Sequence, residues 1–315
     1  MKLQQLRCFC ELVAHDCNAS RTATALHTSQ PGVSRQIQSL ERALGTLLLE
    51  RNKTRISGLT KAGKTLYPLM RKLLIDAEGL KRQAQEVSSG KARFIISTSH
   101  TYARHTLLSV LERFIQQHPH IAIQLRESAA PRIMELLAEG EVDIGVATEP
   151  VEKLPGITLM PCYRVNHSLI MPDGHPLLKY KRPTLEQMLR YPIITYDERH
   201  YLGRVVRERF SKCGLEPNIV ISIIDDDVMK AYVESGFGIA VLPSVAFNPA
   251  RDTRLRATSA THLFGVGTCV VMTRNDSNLQ PHVRNFIELV KATPVSGVSL
   301  SGKRMRASGK LAARR

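Results

Sequence analysis

The chain is short of acidic side chains. Its 28 Asp and Glu face 44 Lys and Arg among 315 residues, a formal net charge of +16. That imbalance excludes an ordinary near-neutral cytosolic enzyme as the default and points to a polyanion, most simply nucleic acid. Cysteine is scarce too: there are six, at positions 8, 10, 17, 162, 213 and 269, with no Cys-x-x-Cys pair. This spacing argues against a zinc ribbon, and in a reducing compartment the thiols read as buried or incidental. Long apolar runs are missing, since none approaches the ~18 residues that a membrane helix needs. No charged-then-apolar leader with a small-residue cleavage site is found near the start, so a cytoplasmic protein with no membrane partner is expected. At 43% hydrophobic and 23% charged residues, the chain is neither disordered nor membranous. Its length allows two or three folding units.

The positive charge sits at the two ends. Residues 1–90 carry +7, residues 91–290 only +2, and residues 291–315 another +7. The first segment reads as helices. Leu3, Leu6, Cys10 and Val13 recur at three- or four-residue spacing, one apolar face of a helix. Asn18 or Ser20 caps a second, short helix, and the turn at residues 27–29 breaks it. Ser29 caps a third, with Pro31 in its first turn, a buried stripe of Val33, Ile37, Leu40 and Leu44, and Gly45 as terminator. Two helices joined by a tight turn form a helix-turn-helix. The exposed side of the third helix offers Gln30, Ser34, Arg35, Gln38 and Arg42. Gln and Arg suit base edges in a major groove, and Ser or Arg suits phosphate. The plainer alternative is a helical hairpin with a polar face. The basic turn Arg51, Lys53, Arg55 argues against it, because it stands where a wing would grip the phosphate backbone.

A long helix is expected from Thr60 or Thr65 to about residue 88. Its near-heptad stripe of Leu66, Leu69, Leu73, Leu80, Ala84 and Val87 suits helix–helix pairing. From Arg93 the pattern becomes strand, helix, strand, helix, strand, the order of a parallel sheet with crossovers. A second such series begins near Ser168. The segment 267–272 and the helix from Pro281 return the chain to the first sheet. The fold class is therefore α/β overall. It comprises a winged helix-turn-helix at 1–59, a linker and dimerisation helix at 60–90, a two-lobed effector domain at 91–295 and a disordered basic tail at 296–315.

The run Ala23-x-x-Leu26-His27-Thr28-Ser29-Gln30-Pro31-Gly32-Val33-Ser34-Arg35-Gln36-Ile37, with Leu40-Glu41 and Leu44-Gly45, resembles the LysR-type transcriptional regulators. Arg51 and Thr60-x-Ala62-Gly63 fit that pattern as well. The opening residues 1–7, Ser99-His100-Thr101-Tyr102-Ala103-Arg104, Ala147-Thr148-Glu149, Pro161-Cys162-Tyr163 and the segment around Asp227 are similar to the CysB subgroup, the regulators of sulfur assimilation. The resemblance covers residues 1 to about 290. It implies a homotetramer or dimer that binds double-stranded promoter DNA and alters engagement of RNA polymerase when a small ligand enters the interlobe cleft. No cofactor, no metal and no catalytic residue are expected.

The DNA-binding set implied is Ser29, Gln30, Pro31, Ser34, Arg35, Gln38, Arg51, Lys53 and Arg55. The effector set is Ser99, His100, Thr101, Tyr102, Thr148, Tyr201 and Leu202. Hydroxyls and free N–H groups at a helix start can hold an anion without a full positive charge. Tyr102 stands where the subgroup usually has Gln, and Leu202 where it has Thr. These departures favour an effector with an organic portion, such as acetylserine or a sulfonate, over bare sulfate. Alternatives remain a LysR-type sensor of an unrelated metabolite such as an aromatic acid and, more remotely, an enzyme on the α/β portion. Three other features have plain explanations. Cys8 and Cys10 point to different helix faces, Asp225-Asp226-Asp227 suits a helix N-terminus, and Gly236-Phe237-Gly238 lacks the ending of a phosphate loop.

Overall fold

The computed structural model describes residues 1–293 except 53–54, 90–91, 151 and 276–278, and omits the side chains of 55, 82, 86, 87 and 89. The expected basic tail, Lys53 and the Arg55 side chain therefore lie outside the described residues. The chain divides into two compact units at residues 90–91.

The first unit contains α1 (Leu3–Ala14), α2 (Ala19–Ala25), α3 (Gln30–Leu44), β1 (Leu49–Asn52), β2 (Arg55–Leu59) and α4 (Lys61–Ser89). The Asn18 side chain accepts from the Ser20 and Arg21 N–H groups, which sets the start of α2. Ser29 Oγ accepts from Gly32 N, and Gly45, at φ 67°, closes α3 in the left-handed region. Leu6, Phe9, Leu12, Val33, Ile37, Leu40 and Leu48 make the core. Leu3 departs from the expected stripe: it is 52% exposed. It sits at the first position of α1, where the helix has not yet turned onto the core.

Glu41 joins α3 to the hairpin β1–β2. Its buried carboxylate accepts from Leu48 N at 2.8 Å and Leu49 N at 3.2 Å, and Arg51 lies 3.6 Å away. Thr60 starts α4: its Oγ1 donates to Leu47 O and accepts from Gly63 N. A Cβ on Gly63 would stand 2.2 Å from Leu48 O, so only glycine permits this approach. Leu69, Leu73 and Leu80 stay exposed along α4.

The second unit has two sheets. The first is ordered β4-β3-β5-β12-β6, from β3 (Ala92–Thr98), β4 (Ile121–Glu127), β5 (Ile144–Thr148), β6 (Ile157–Val165) and β12 (Gly267–Arg274). The second is ordered β11-β7-β10-β8-β9, from β7 (His167–Pro172), β8 (Ile193–Tyr196), β9 (Ile219–Ile223), β10 (Ile239–Pro243) and β11 (Leu255–Ser259). The helices are α5 (His100–His105), α6 (Leu107–Gln117), α7 (Ala130–Glu139), α8 (Leu185–Met188), α9 (Tyr201–Lys212), α10 (Asp226–Glu234), α11 (Thr261–Phe264) and α12 (Pro281–Lys291). Strands β3, β4 and β5 run parallel, and β12 returns antiparallel between β5 and β6. The chain crosses between lobes at residues 166 and 265–267, so each lobe closes its own core.

Two strands escaped the sequence pattern. β6 contains Pro161 in mid-run, which argues against a strand. It is tolerated because β6 is an edge strand with a register shift opposite Pro161. β11 is also an edge strand and alternates only weakly. The single helix expected after β3 is two, α5 and α6, separated at Thr106.

Candidate DNA-binding and effector sites

In the first unit, α3 presents Gln30, Pro31, Arg35 and Gln38 as exposed residues, with Ser34 half-buried beside them. Ser29 is committed to the helix cap. Arg51 projects from β1 near Glu41, and its guanidinium stays about one-third exposed. A polar groove of about 510 Å³ runs between α2, α3 and the hairpin, lined by Ser20, Gln30, Ser34 and Arg51 among others. Hydroxyls, an amide and a guanidinium on one helix face and one strand are the donors that base edges and phosphates accept from.

In the second unit, β3, β5 and β8 end facing the junction of the lobes, the usual place for a ligand in such sheets. Tyr102 Oη lies 3.0 Å from Thr148 Oγ1. Burial holds the Tyr102 phenol well above its ordinary value, so its proton stays on. A Cβ on Gly267 would come within 3.3 Å of Thr148, 3.4 Å of Tyr201 and 3.7 Å of His167. Thr148 from one lobe and Tyr201 from the other thus converge on the crossing strand. Burial lowers His167 to about 4, and burial with the nearby His167 lowers His200 to about 4, so both rings are neutral at pH 7. A cavity of about 210 Å³ opens next to Tyr201, walled by Pro131, Met134, Pro150 and Leu154 and edged by Lys153, Arg199 and Arg204.

Several expected effector residues turn elsewhere. The Leu202 side chain is 1% exposed and packs in the second-lobe core; only its N–H is engaged, donating to His200 Nδ1 at 3.2 Å. Helix amphipathicity explains this, since Leu202, Val206 and Phe210 form the buried stripe of α9. The Tyr102 ring fills the first-lobe core and offers only its hydroxyl. His100 and Thr101 face the second lobe. His100 Nδ1 is 3.0 Å from Glu127 and its Nε2 is 3.0 Å from Asp225, while Thr101 is buried. Ser99 leads into α5 without a side-chain cap bond, and its side chain is half-buried. His167, Gly267 and Arg204 were not expected. Arg204 follows Leu202 and Gly203 in a step that resembles the family, but nothing in the local sequence marks His167 or Gly267, which join the site only through the crossing of the lobes.

The family description "LysR substrate binding domain" matches residues 88–294, and "Bacterial regulatory helix-turn-helix protein, lysR family" matches residues 3–64. The chain belongs to the LysR family. It is a DNA-binding transcriptional regulator and not an enzyme. It is similar to the HTH-type transcriptional regulator SsuR of Burkholderia cenocepacia, 38% identical over 291 residues, covering 92% of this chain and 94% of the relative. The regulator CysB of Haemophilus influenzae is 33% identical over 307 residues, covering 97% and 95%. The solved cofactor-binding domain of the Cbl transcriptional regulator is 31% identical with a TM-score of 0.61, covering 64% of this chain and 89% of that one. A full-length OxyR variant from Pseudomonas aeruginosa, at 20% identity and TM-score 0.60, covering 93% of this chain and 99% of that one, shares the fold. No helix among the described residues is long and apolar enough to cross a membrane.

Proposed function

We propose that this LysR-family regulator is a CysB-like cytoplasmic activator of sulfur-assimilation or organosulfur-use genes. It binds promoter DNA as a dimer or tetramer and engages RNA polymerase in response to a small anionic effector. The observation that carries the sulfur reading is identity of 33–38% to SsuR and CysB over more than nine-tenths of the chain. Exposed Leu69, Leu73 and Leu80 on α4 support self-association through that helix. The effector class follows from the junction of the lobes. Thr148 and Tyr201 stand with the neutral imidazole of His167 around Gly267, and Arg204 edges the adjoining cavity. Such a site can hold an oxyanion through hydrogen bonds and an apolar body against Met134 and Leu154. Sulfate, acetylserine and sulfonates fall in this class.

A thermal-shift panel on the full chain tests the reading. Sulfate, thiosulfate, O-acetylserine, N-acetylserine and several sulfonates are compared with aromatic acids. Stabilisation by a sulfur-related ligand, with a matching change in promoter mobility shift, is expected. A response to aromatic acids alone would sink the sulfur assignment while leaving the family unchanged.

A further inference from the structure

Three consecutive carboxylates open α10, and each meets a side chain of α5 from the other lobe. Asp225 Oδ2 lies 3.0 Å from His100 Nε2. Asp226, fully buried, accepts from the Tyr196 hydroxyl and lies 4.0 Å from His105 Nε2. Asp227 pairs with Arg104. A helix cap alone requires only Asp225, whose Oδ1 already accepts from Asp227 N and Val228 N.

His100 is the distinctive member of this junction. Its two ring nitrogens each face a carboxylate oxygen, Glu127 on its own lobe and Asp225 on the other, both at 3.0 Å. A neutral imidazole has one N–H and one lone pair. With the proton on Nδ1, bonded to Glu127, the bare Nε2 would point its lone pair at an anionic oxygen. Nε2 is also shielded from water and not aligned as a hydrogen bond, so attraction there demands the ring's positive charge. The other charged groups around the ring are Asp226, Arg104, His105, Asp227 and, behind Asp227, Lys230. Arg104 pairs with Asp227, and Lys230 with Asp227 and Asp252, which leaves Glu127, Asp225 and Asp226 to act on His100. Burial opposes the charge, but the Glu127 bond and the carboxylates of Asp225, Glu127 and Asp226 outweigh it and raise the proton affinity of His100.

We propose that His100 is a proton-linked clasp between the two lobes, closed when the imidazolium bridges Glu127 and Asp225 and loosened when the ring is neutral. Because the clasp lies in the turn that follows Ser99, any ligand favouring this arrangement of the lobes favours the protonated ring, and reciprocally. This second step rests on the reading that an anionic effector binds between the lobes.

The sign is fixed by the raised proton affinity. The folded state holds the proton more tightly than the unfolded chain, so the clasp stabilises fully below the ordinary histidine range and is lost as pH rises above it. The test uses the full chain in the presence of a chelator. Thermal unfolding of wild type, His100→Gln and Glu127→Gln is followed from pH 6 to pH 9. Both variants should melt about 2–4 °C below wild type at pH 6 and match it at pH 9. A gap that does not change with pH, or no gap, would overturn the clasp. So would a pH effect present only without chelator, since His100, Asp225 and Asp227 would then be holding a metal ion. If His100→Gln fails to fold, Glu127→Gln alone decides, because it keeps the ring and removes one partner. A second measurement titrates inorganic sulfate calorimetrically in two buffers of different ionisation heat. Binding should take up protons near pH 7 and weaken about three- to tenfold by pH 8.5 in wild type, and do neither in His100→Gln. Absence of any sulfate binding alongside a positive stability result sinks the anion reading and leaves the clasp standing.

Discussion

The two units solve the problem of presenting polar groups in opposite ways. In the first, the groups offered to a partner stand on the outside of α3 and β1, and each is placed by its own helix or strand. In the second, they lie where two lobes meet, and neighbours such as Tyr102 and Thr148 are 46 residues apart. Residues 1–90 bear +7, whereas residues 91–290, which hold both sheets of the second unit, bear only +2. A polyanion is attracted over a distance and bound across a surface, so net charge and exposure serve it. A small ligand is enclosed, so desolvated hydroxyls and neutral imidazoles serve it better than a strong field.

The comparison predicts that damage should stay within a unit. The largest effect is expected at Lys230, a buried ammonium that donates to Ala246 O at 2.9 Å and to both Asp252 oxygens at 3.0 and 3.1 Å. Lys230→Met strands Asp252 and should cost the second unit about 3–5 kcal/mol. Calorimetry should show one transition moving while the first unit's transition stays; movement of both would break the separation. Glu41→Ala is the counterpart in the first unit. It removes the acceptor for two buried N–H groups and should cost about 2–3 kcal/mol, read by the same scan as a shift of the other transition.

Arg35→Ala addresses function without stability. Its side chain is exposed and, among the described residues, makes one long contact, 3.4 Å, to Pro31 O. Loss of about 1–3 kcal/mol in specific promoter binding is expected if it reads a base edge. Equal losses on promoter and scrambled DNA in anisotropy titrations would instead make it a phosphate contact. Tyr102→Phe should have the smallest effect, about 1 kcal/mol, because it deletes one hydrogen bond and keeps the ring in its core. The sharper expectation is that ligand affinity falls more than melting temperature, since the freed Thr148 hydroxyl can turn away. A pure stability loss would assign Tyr102 to packing alone.

The pH behaviour also divides. His105, His167 and His200 sit near pKa 4, chiefly through burial. They bind protons more weakly folded than unfolded, so the stability they confer is present above about 6.5 and lost as pH falls towards 4. His100 runs the other way.

Local rules read directly from residue types account for most of the first unit. Asn18 and Ser29 cap because short polar side chains reach N–H groups two or three residues on, and Gly45 ends α3 because it alone enters the left-handed region cheaply. The succession of strands and helices along the second unit was legible from apolar runs and turn residues, with β6 and β11 as the exceptions; the strand order within each sheet was not. Pro161 misleads at an edge, where no strand partner needs its missing N–H.

Residue types and their local spacing set most helix ends, most apolar faces and where positive charge collects, though not the break between α5 and α6 at Thr106. These depend on neighbours three or four residues away. Only the tertiary structure decided that Leu202 is core, that Gly267 and His167 meet Tyr201 and Thr148, and that Asp225, Asp226 and Asp227 receive α5 rather than merely cap α10. Those facts depend on which elements the lobes bring together. Charge and hydroxyls confer no role until a fold gives them a partner and removes the water between them.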